Sequence, residues 1–198
     1  MKEYSAGIVS NLLWFVETRT TAKLLSEGKT KQEIKTLVTI ENIFLQKQEK
    51  RALRQLNCIM NRLEALPEDL QIELIRSDLA SAKLIVLIGA MATDRLLFEF
   101  VYEVYRNKIK MGESKIEDRD FNVFFQEKEV QSEKVAGWSE SAIKKLKQTY
   151  SKYLSEAGLI AGVKENRDVV KVYVDDRIRK SLIQNNMEQY LFAMTGEN

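Results

Sequence analysis

A lysine-rich segment at 139–156 carries the clearest chemical signal in the sequence. The spacing of its apolar residues predicts a helix, and most of its polar side chains fall off the apolar stripe. Ammonium groups on such a face can neutralise phosphates, and a side-chain amide can hydrogen-bond a base edge. Lys147 lies nearer the stripe and has to extend its aliphatic stem to reach water. The candidate contacts of this helix with a nucleic acid are Lys144, Lys145, Lys147, Gln148 and Lys152.

Two smaller basic sets could extend such a contact. Lys164 and Arg167 lie in a polar loop after the lysine-rich helix, where they are placed to meet a phosphate backbone. Lys47, Arg51 and Arg54 are spaced by four and by three residues, so that one helix would align them in a stripe. For every set the alternative interpretation is a solvated face that binds nothing, and for the stripe it is the slightly favoured one.

The residue types needed for common enzymatic sites are scarce. The chain has no histidine, which removes the most frequent general base and metal ligand. Cys58 is the only cysteine, so that no internal disulfide can form and a reducing compartment, the cytoplasm, is expected. Neither a GxxxxGK[ST] nor a GxGxxG phosphate loop is present. The sequence therefore predicts a non-enzymatic protein without a metal or other cofactor.

The most apolar stretch, 79–102, does not have the length of a membrane span. Charged residues interrupt it, and the uncharged piece 84–93 is ten residues long. A helix that crosses a bilayer needs about 20 apolar residues. The stretch therefore predicts a buried core helix and no membrane span.

The elements that must position these residues are mostly helices. The chain has one proline and eight glycines among 198 residues, and a 44% hydrophobic content is enough for a core. Apolar spacing predicts a first helix with Ile8, Leu12 and Val16 facing inward, which ends at Gly28. Further helices are predicted at 30–38, 48–66, 67–74, 77–92 and 93–110. A short polar loop then suggests two domains, a helical bundle at 1–112 and a second unit at 113–198.

The last third combines helices with a β-hairpin. Helices are predicted at 118–131, with three phenylalanines inward, and at 139–156. Strands are predicted at 159–161 and over the β-branched run 169–174, before two final helices. A helix followed by a strand, a polar loop and a strand has the order of a winged helix-turn-helix, whose recognition helix enters the major groove. The predicted fold class is thus mainly α, a helical bundle followed by a small winged-helix-like α+β module.

The chain also resembles the BrxA family, small proteins encoded in the BREX bacteriophage-exclusion operons of bacteria. The resemblance covers most of the chain and rests on diffuse helical patterns. It implies a NusB-like helical N-terminal part, double-stranded DNA binding and a role in phage defence alongside other BREX proteins. It assigns no individual DNA contacts. The residues that carry it are Tyr4-Ser5-Ala6-Gly7, Glu17, Ala22, Leu24-Leu25, Glu41-Asn42, Gln46, Arg62-Leu63 and Glu156-Ala157-Gly158-Leu159-Ile160.

Charge blocks leave a second function open. The net charge is only +2, but acids dominate the segments 64–73 and 113–133. These segments would be partner surfaces if the protein is a protein–protein adaptor among BREX proteins and the winged helix is structural. An RNA-binding role, suggested only by the NusB analogy, is a third and weaker interpretation.

Overall fold

The computed structural model describes residues 3–162 and 167–197, and it is mainly helical. A short 3₁₀ turn at Gly7–Ser10 precedes the first α-helix, and a π-helical turn at Val101–Tyr105 joins α6 to α7. The first seven helices are α1 (Phe15–Ser26), α2 (Lys31–Thr39), α3 (Glu49–Glu64), α4 (Glu68–Arg76), α5 (Leu79–Thr93), α6 (Arg95–Phe100) and α7 (Arg106–Met111). The remaining elements are α8 (Asp118–Gln131), α9 (Glu133–Ala136), α10 (Glu140–Glu156), strands β1 (Ile160–Ala161) and β2 (Asp168–Val169), α11 (Asp176–Gln184) and α12 (Glu188–Thr195).

The first helix begins later than its apolar pattern predicts. Trp14 has a left-handed backbone with φ of 55°, which interrupts any helix that would run from Ile8. Leu12 and Val16 are 48% and 67% exposed, so the prediction that they face inward was wrong. The extended stretch before α1 turns its carbonyl groups toward α3, and this contact replaces the helical hydrogen bonds that the sequence pattern suggested.

A buried arginine receives those carbonyl groups. The side chain of Arg62 on α3 donates from Nη1 to the carbonyl oxygens of Leu12 and Leu13, both at 3.0 Å, and from Nη2 to Tyr153 Oη at 2.6 Å. Tyr153 in turn donates to the Leu12 carbonyl at 2.9 Å. Arg62 is only 3% exposed, and its guanidinium lies 5.8 Å from the centre of the Trp14 ring. This cluster joins the N-terminal segment, α3 and α10.

The apolar stretch at 79–102 forms the centre of the molecule, as predicted. Every residue from Leu84 to Met91 on α5 is buried. Gly89 allows α3 to approach closely, because a Cβ atom there would lie 3.0 Å from the Arg62 carbonyl oxygen. Across residues 3–162 and 167–197, no helix combines the length and apolarity required to cross a membrane.

A second polar cluster fixes α8 to the helices before it. Lys128 on α8 is 2% exposed and lies 2.7 Å from carboxylate oxygens of both Glu99 and Glu103. Glu99 also accepts from Arg95 Nε at 2.6 Å and from Tyr4 Oη at 2.8 Å. Burial alone would raise the pKa of Glu99, but these hydrogen bonds outweigh it and leave the pKa below its usual value. The carboxylate therefore stays ionised and paired at neutral pH.

The C-terminal elements match the sequence prediction in part. Helices over 118–131 and 139–156 are confirmed, and the apolar sides of both are buried. The short helix α9 was not predicted, and the second strand stops at Val169 although the β-branched run continues. One hydrophobic core includes buried residues from both sides of Gly112. The domain boundary there and the likeness to NusB stay predictions.

We predict that Arg62→Ala lowers the free energy of unfolding by about 3 kcal/mol, because it leaves buried carbonyl and hydroxyl groups without their donor. Urea unfolding followed by circular dichroism measures this loss. Arg51→Ala is the matched control, since Arg51 is an exposed arginine of the same helix. The control is expected to change stability by no more than about 0.5 kcal/mol. Equal losses in the two variants would contradict the structural role of Arg62.

Candidate nucleic-acid interface

Helix α10 is the centre of the candidate interface. The Ser139 side chain accepts from the backbone N–H of Ala142 at the start of the helix. Tyr150 is fully buried, and its ring centre is 5.3 Å from that of Phe100. Burial raises the pKa of Tyr153 to about 12, despite the neighbouring Arg62 charge, so that the hydroxyl keeps the proton that it donates to Leu12. The inner face of α10 is thus fixed rigidly to the core.

The outer face of α10 carries the predicted lysines. Lys144, Lys145, Gln148 and Lys152 are all exposed. At 3.6 residues per turn these four positions fall within about one third of the helix circumference. The ammonium groups of the three lysines form no ion pair or hydrogen bond with a described residue. The structure therefore brings together one amide and three positive charges, which have no partner among the described residues, on a single solvent-facing surface.

Lys147 lies apart from that face. It is half-buried, its ammonium group donates to the side chain of Asn122 on α8, and it lies 6.0 Å from the centre of the Phe125 ring. It lines a groove of about 640 Å³ between α8 and α10, which Lys144 and Gln148 also line. Lys147 therefore reaches the surface from the groove side, as its position at the edge of the apolar stripe predicted.

A short β-hairpin follows α10. Ile160 pairs with Val169 and Ala161 with Asp168 in antiparallel register. The other edge of β2 is also occupied, since the backbone N–H of Val169 donates to the carbonyl of Ser114 at 2.8 Å. The hairpin is therefore held between α10 and the segment that leads into α8. Lys164 lies outside the residues that the structure describes.

The prediction that Arg167 faces a phosphate backbone was wrong. Arg167 is 7% exposed, its Nε donates to the Ile116 carbonyl at 2.8 Å, and its Nη2 pairs with Asp118. Its guanidinium also lies 5.0 Å from the centre of the Phe121 ring. The Arg167 guanidinium turns inward because it can pair there with the Asp118 carboxylate and the Ile116 carbonyl. Arg167 therefore stabilises the hairpin and does not belong to the candidate interface.

The second basic surface is confirmed as exposed but differs in composition from the predicted stripe. Gln48 is the N-cap of α3, so that Lys47 precedes the helix and is not held in helical register with Arg51. Lys50 takes that place, because it is four residues before Arg54 on the exposed side. Cations in a first helical turn are disfavoured by the macrodipole, so Lys50 and Arg51 do not stabilise α3. Lys50, Arg51 and Arg54 form no ion pair with a described residue.

The two basic surfaces flank the same N-terminal segment. A groove of about 330 Å³ is lined by Arg54 and Asn11, and a neighbouring groove of about 290 Å³ is lined by Lys152 and Asn11. The lysine face of α10 and the Arg54 side of α3 therefore both border the chain around Asn11. The sequence could not show this proximity, since the two sets are almost a hundred residues apart.

The short helix α9, which precedes the turn before α10, is the feature that the sequence prediction missed. The short helix α9 ends at Ala136, and three residues, Gly137 to Ser139, connect it to α10. A turn of three or four residues that contains glycine is typical of a helix-turn-helix. The signal was present in the sequence as Gly137 followed by the cap residue Ser139, but a four-residue helix is too short to show apolar periodicity.

Comparison with known proteins gives consistent matches. A family model described as BrxA matches residues 2–186. A protein named "BREX protein BrxA" from Bacillus cereus (strain H3081.97) is 40% identical over 194 residues, which cover 98% of this chain and 97% of that protein. A protein of the same name from Paramagnetospirillum magneticum is 25% identical over 189 residues, which cover 95% and 94% of the two chains.

A solved structure has the same fold. The crystal structure of an uncharacterized protein from Magnetospirillum magneticum superposes with a TM-score of 0.81 and covers 99% of this chain and 100% of that chain. The two sequences are 22% identical, so this likeness concerns the fold alone.

We predict that Arg167→Ala loosens the hairpin, because Ile116 and Asp118 lose their donor. The expected loss in the free energy of unfolding is about 1–3 kcal/mol. Amide hydrogen exchange should be faster at Val169, whose N–H bonds to the segment that Arg167 holds. Unchanged exchange at Val169 together with weakened DNA binding would instead make Arg167 a direct contact.

Proposed function

The chain belongs to the BrxA family, and we propose that it is a non-enzymatic, double-stranded DNA-binding accessory protein of a BREX phage-defence system. The name of the relatives supports the membership in BREX. The proposal of duplex binding depends on the arrangement of charge on α10.

The observation that carries the proposal is the outer face of α10. Lys144, Lys145 and Lys152 point away from the core and have no carboxylate partner among the described residues. Other lysines are paired, as Lys128 is with Glu99 and Lys108 with Asp120. Unpaired cations on one rigid helix suit a polyanion, because binding releases the counterions of the phosphates.

The surrounding elements favour a duplex over a flexible strand. In this proposal the turn at Gly137–Ser139 and the helix α10 act as the turn and recognition helix of a helix-turn-helix, and β1 and β2 act as its wing; the order of helix, turn, helix and hairpin supports this assignment. An α-helix fits the major groove of B-DNA, whereas the major groove of duplex RNA is too deep and narrow for side chains to read. We therefore place Lys144, Lys145, Gln148 and Lys152 at the duplex, with Lys147 at the edge of the contact.

The second basic surface extends this contact. Arg54 lies on the side of α3 that flanks the same segment as Lys152. Arg51 is exposed three residues earlier on the helix, and neither arginine forms an ion pair with a described residue. Lys47 is exposed beside them. In the proposal these three residues bind phosphates outside the groove that α10 occupies, and they add affinity without base specificity. Lys164 remains a candidate wing contact on the basis of its position in the sequence.

The absence of enzymatic chemistry is part of the proposal. Burial raises the pKa of the Cys58 thiol, so that at neutral pH it is protonated and a poor nucleophile. In the part of the chain that the structure describes, no group of three or more Asp, Glu, Cys or His side chains is arranged so that it could hold a metal ion. We propose a role of binding and organisation.

A protein–protein adaptor is the second candidate, and one groove favours it. Five carboxylates line a groove of about 720 Å³ between α7 and α8, next to Met111, which is 73% exposed. These carboxylates belong to Glu103, Glu113, Glu117, Asp120 and Glu127. A basic, partly apolar segment of another BREX protein would suit this surface. Three of these carboxylates are paired, Glu103 with Lys128 and Glu113 and Asp120 with Lys108, whereas Glu117 and Glu127 form no ion pair with a described residue. In the other acidic block, Glu64 pairs with Lys31 and Glu73 with Arg177.

We predict that duplex binding weakens steeply with salt and depends on the α10 lysines. Reversal of Lys144, Lys145 and Lys152 to glutamate should lower the affinity at least about tenfold and reduce the slope of log affinity against log salt by about three. Gel-shift titrations at several salt concentrations, with duplex DNA and single-stranded RNA as competing ligands, measure both quantities. The matched control reverses Lys35, Lys171 and Lys180, three exposed lysines that lie outside the two basic surfaces and form no ion pair with a described residue.

Two results would overturn the duplex proposal. Equal losses in the α10 variant and the control would show that only net charge matters. Capture of other BREX proteins at a salt concentration that abolishes DNA binding, retained in the α10 variant and lost when Glu113 and Glu117 are reversed, would favour the adaptor.

A further inference from the structure

In the loop between α2 and α3, one aliphatic residue combines a high solvent exposure with an unfavourable backbone conformation. Leu45 is 86% exposed, and its backbone φ is 51°, in the left-handed region that bulky residues avoid. Neither burial nor local backbone preference accounts for a leucine at this position. Residues held in such conformations are concentrated at functional sites, where the surrounding structure imposes them.

The surrounding structure holds Leu45 in place. Its own N–H donates to the Asn42 carbonyl at 2.8 Å. On one side Phe44 is buried in the core, and on the other the Gln46 side chain donates to the buried Gln55 of α3 at 2.8 Å. The backbone N–H of Gln46 also donates to Asn42 Oδ1 at 2.9 Å. Leu45 is therefore a fixed apolar projection and not the tip of a loose loop.

The residues that follow identify the kind of surface that would accept it. The segment 47–54 has four basic residues and one acid, Glu49. Lys47, Lys50, Arg51 and Arg54 are all exposed and form no ion pair with a described residue. An exposed apolar side chain beside these basic side chains suits a ligand that has phosphates on its outside and apolar faces in its interior. A DNA duplex has that composition, and proteins that bind its minor groove insert leucine and similar side chains between base pairs.

The length of α3 fits this ligand. Arg62 contacts Tyr153 of α10, and Arg51 lies eleven residues earlier on α3. At the rise of an α-helix this separation is about 17 Å. One turn of a duplex is about 34 Å, so that a major groove and the next minor groove on the same face are about 17 Å apart. If α10 occupies a major groove and the duplex runs along α3, Arg51 lies near the adjacent minor groove, and Leu45 is in the loop that leads into this end of α3.

We propose that Leu45 is a wedge that enters the minor groove adjacent to α10, separates one base step and bends the duplex. Lys47, Arg51 and Arg54 bind the phosphates on either side of that step. This inference rests on the proposed duplex binding and adds a deformation of the DNA to it.

The test measures bending separately from binding. A short duplex of about 20 base pairs with a fluorophore at each end reports bending as a rise in energy transfer at saturating protein. The unaltered chain should bend the duplex by roughly 20–90°. Leu45→Ala should lose the bend and weaken binding by less than about tenfold. Leu45→Met, which keeps an apolar wedge, should retain it.

Two further variants separate the wedge from a structural role. Leu45→Asn should lose the bend and also raise the melting temperature, because asparagine tolerates the left-handed backbone. Val130→Ala is the matched control, since Val130 is 89% exposed on α8 between Glu129 and Gln131. It should change neither bending nor stability.

The outcomes distinguish this inference from the function on which it rests. Duplex binding without bending, or equal bending by the unaltered chain and Leu45→Ala, would overturn the wedge and leave duplex binding intact. A chain that binds no duplex at all would overturn both. Loss of affinity for a BREX protein in Leu45→Ala, with DNA bending unchanged, would assign the projection to a protein partner and overturn the wedge.

Discussion

The structure depends on one buried positive charge. Arg62 satisfies the carbonyl groups of Leu12 and Leu13 and the hydroxyl of Tyr153, and so joins the N-terminal segment, α3 and α10 at one point. Because a buried guanidinium requires acceptors for its donors, this contact fixes the extended conformation of the chain before α1. It also fixes the position of α10 against α3 and the N-terminal segment, through the hydroxyl of Tyr153.

The same contact determines what the surface of α10 can do. A helix that is held by Tyr150 and Tyr153 on its inner side must present its remaining positions to solvent, and those positions carry Lys144, Lys145 and Lys152. Recognition by rigid elements keeps the entropic cost of binding low, since the charges are already in position when the ligand arrives. The fold and the proposed function are therefore two consequences of one junction.

Much of this arrangement could be predicted from the sequence, and the failures have physical causes. The helices at 118–131 and 139–156 have clear apolar periodicity, and the structure confirms both. Charge pattern alone does not distinguish an exposed cation from a buried one. Arg167 was placed at the surface by its charge, yet it turns inward to an acceptor on a segment distant in the sequence. Arg62 is likewise buried against distant carbonyl groups, which its residue type does not indicate. The left-handed backbone of Leu45 also has no signature in residue type.

Chemical footprinting of lysines tests the central claim most directly, because it locates the duplex on the protein. The chain is acetylated with and without saturating duplex DNA, and modification at each lysine is quantified by mass spectrometry. The account predicts protection of Lys144, Lys145 and Lys152 and unchanged modification of Lys23 and Lys180. Protection spread evenly over all exposed lysines, or none on α10 while the duplex is bound, would contradict it.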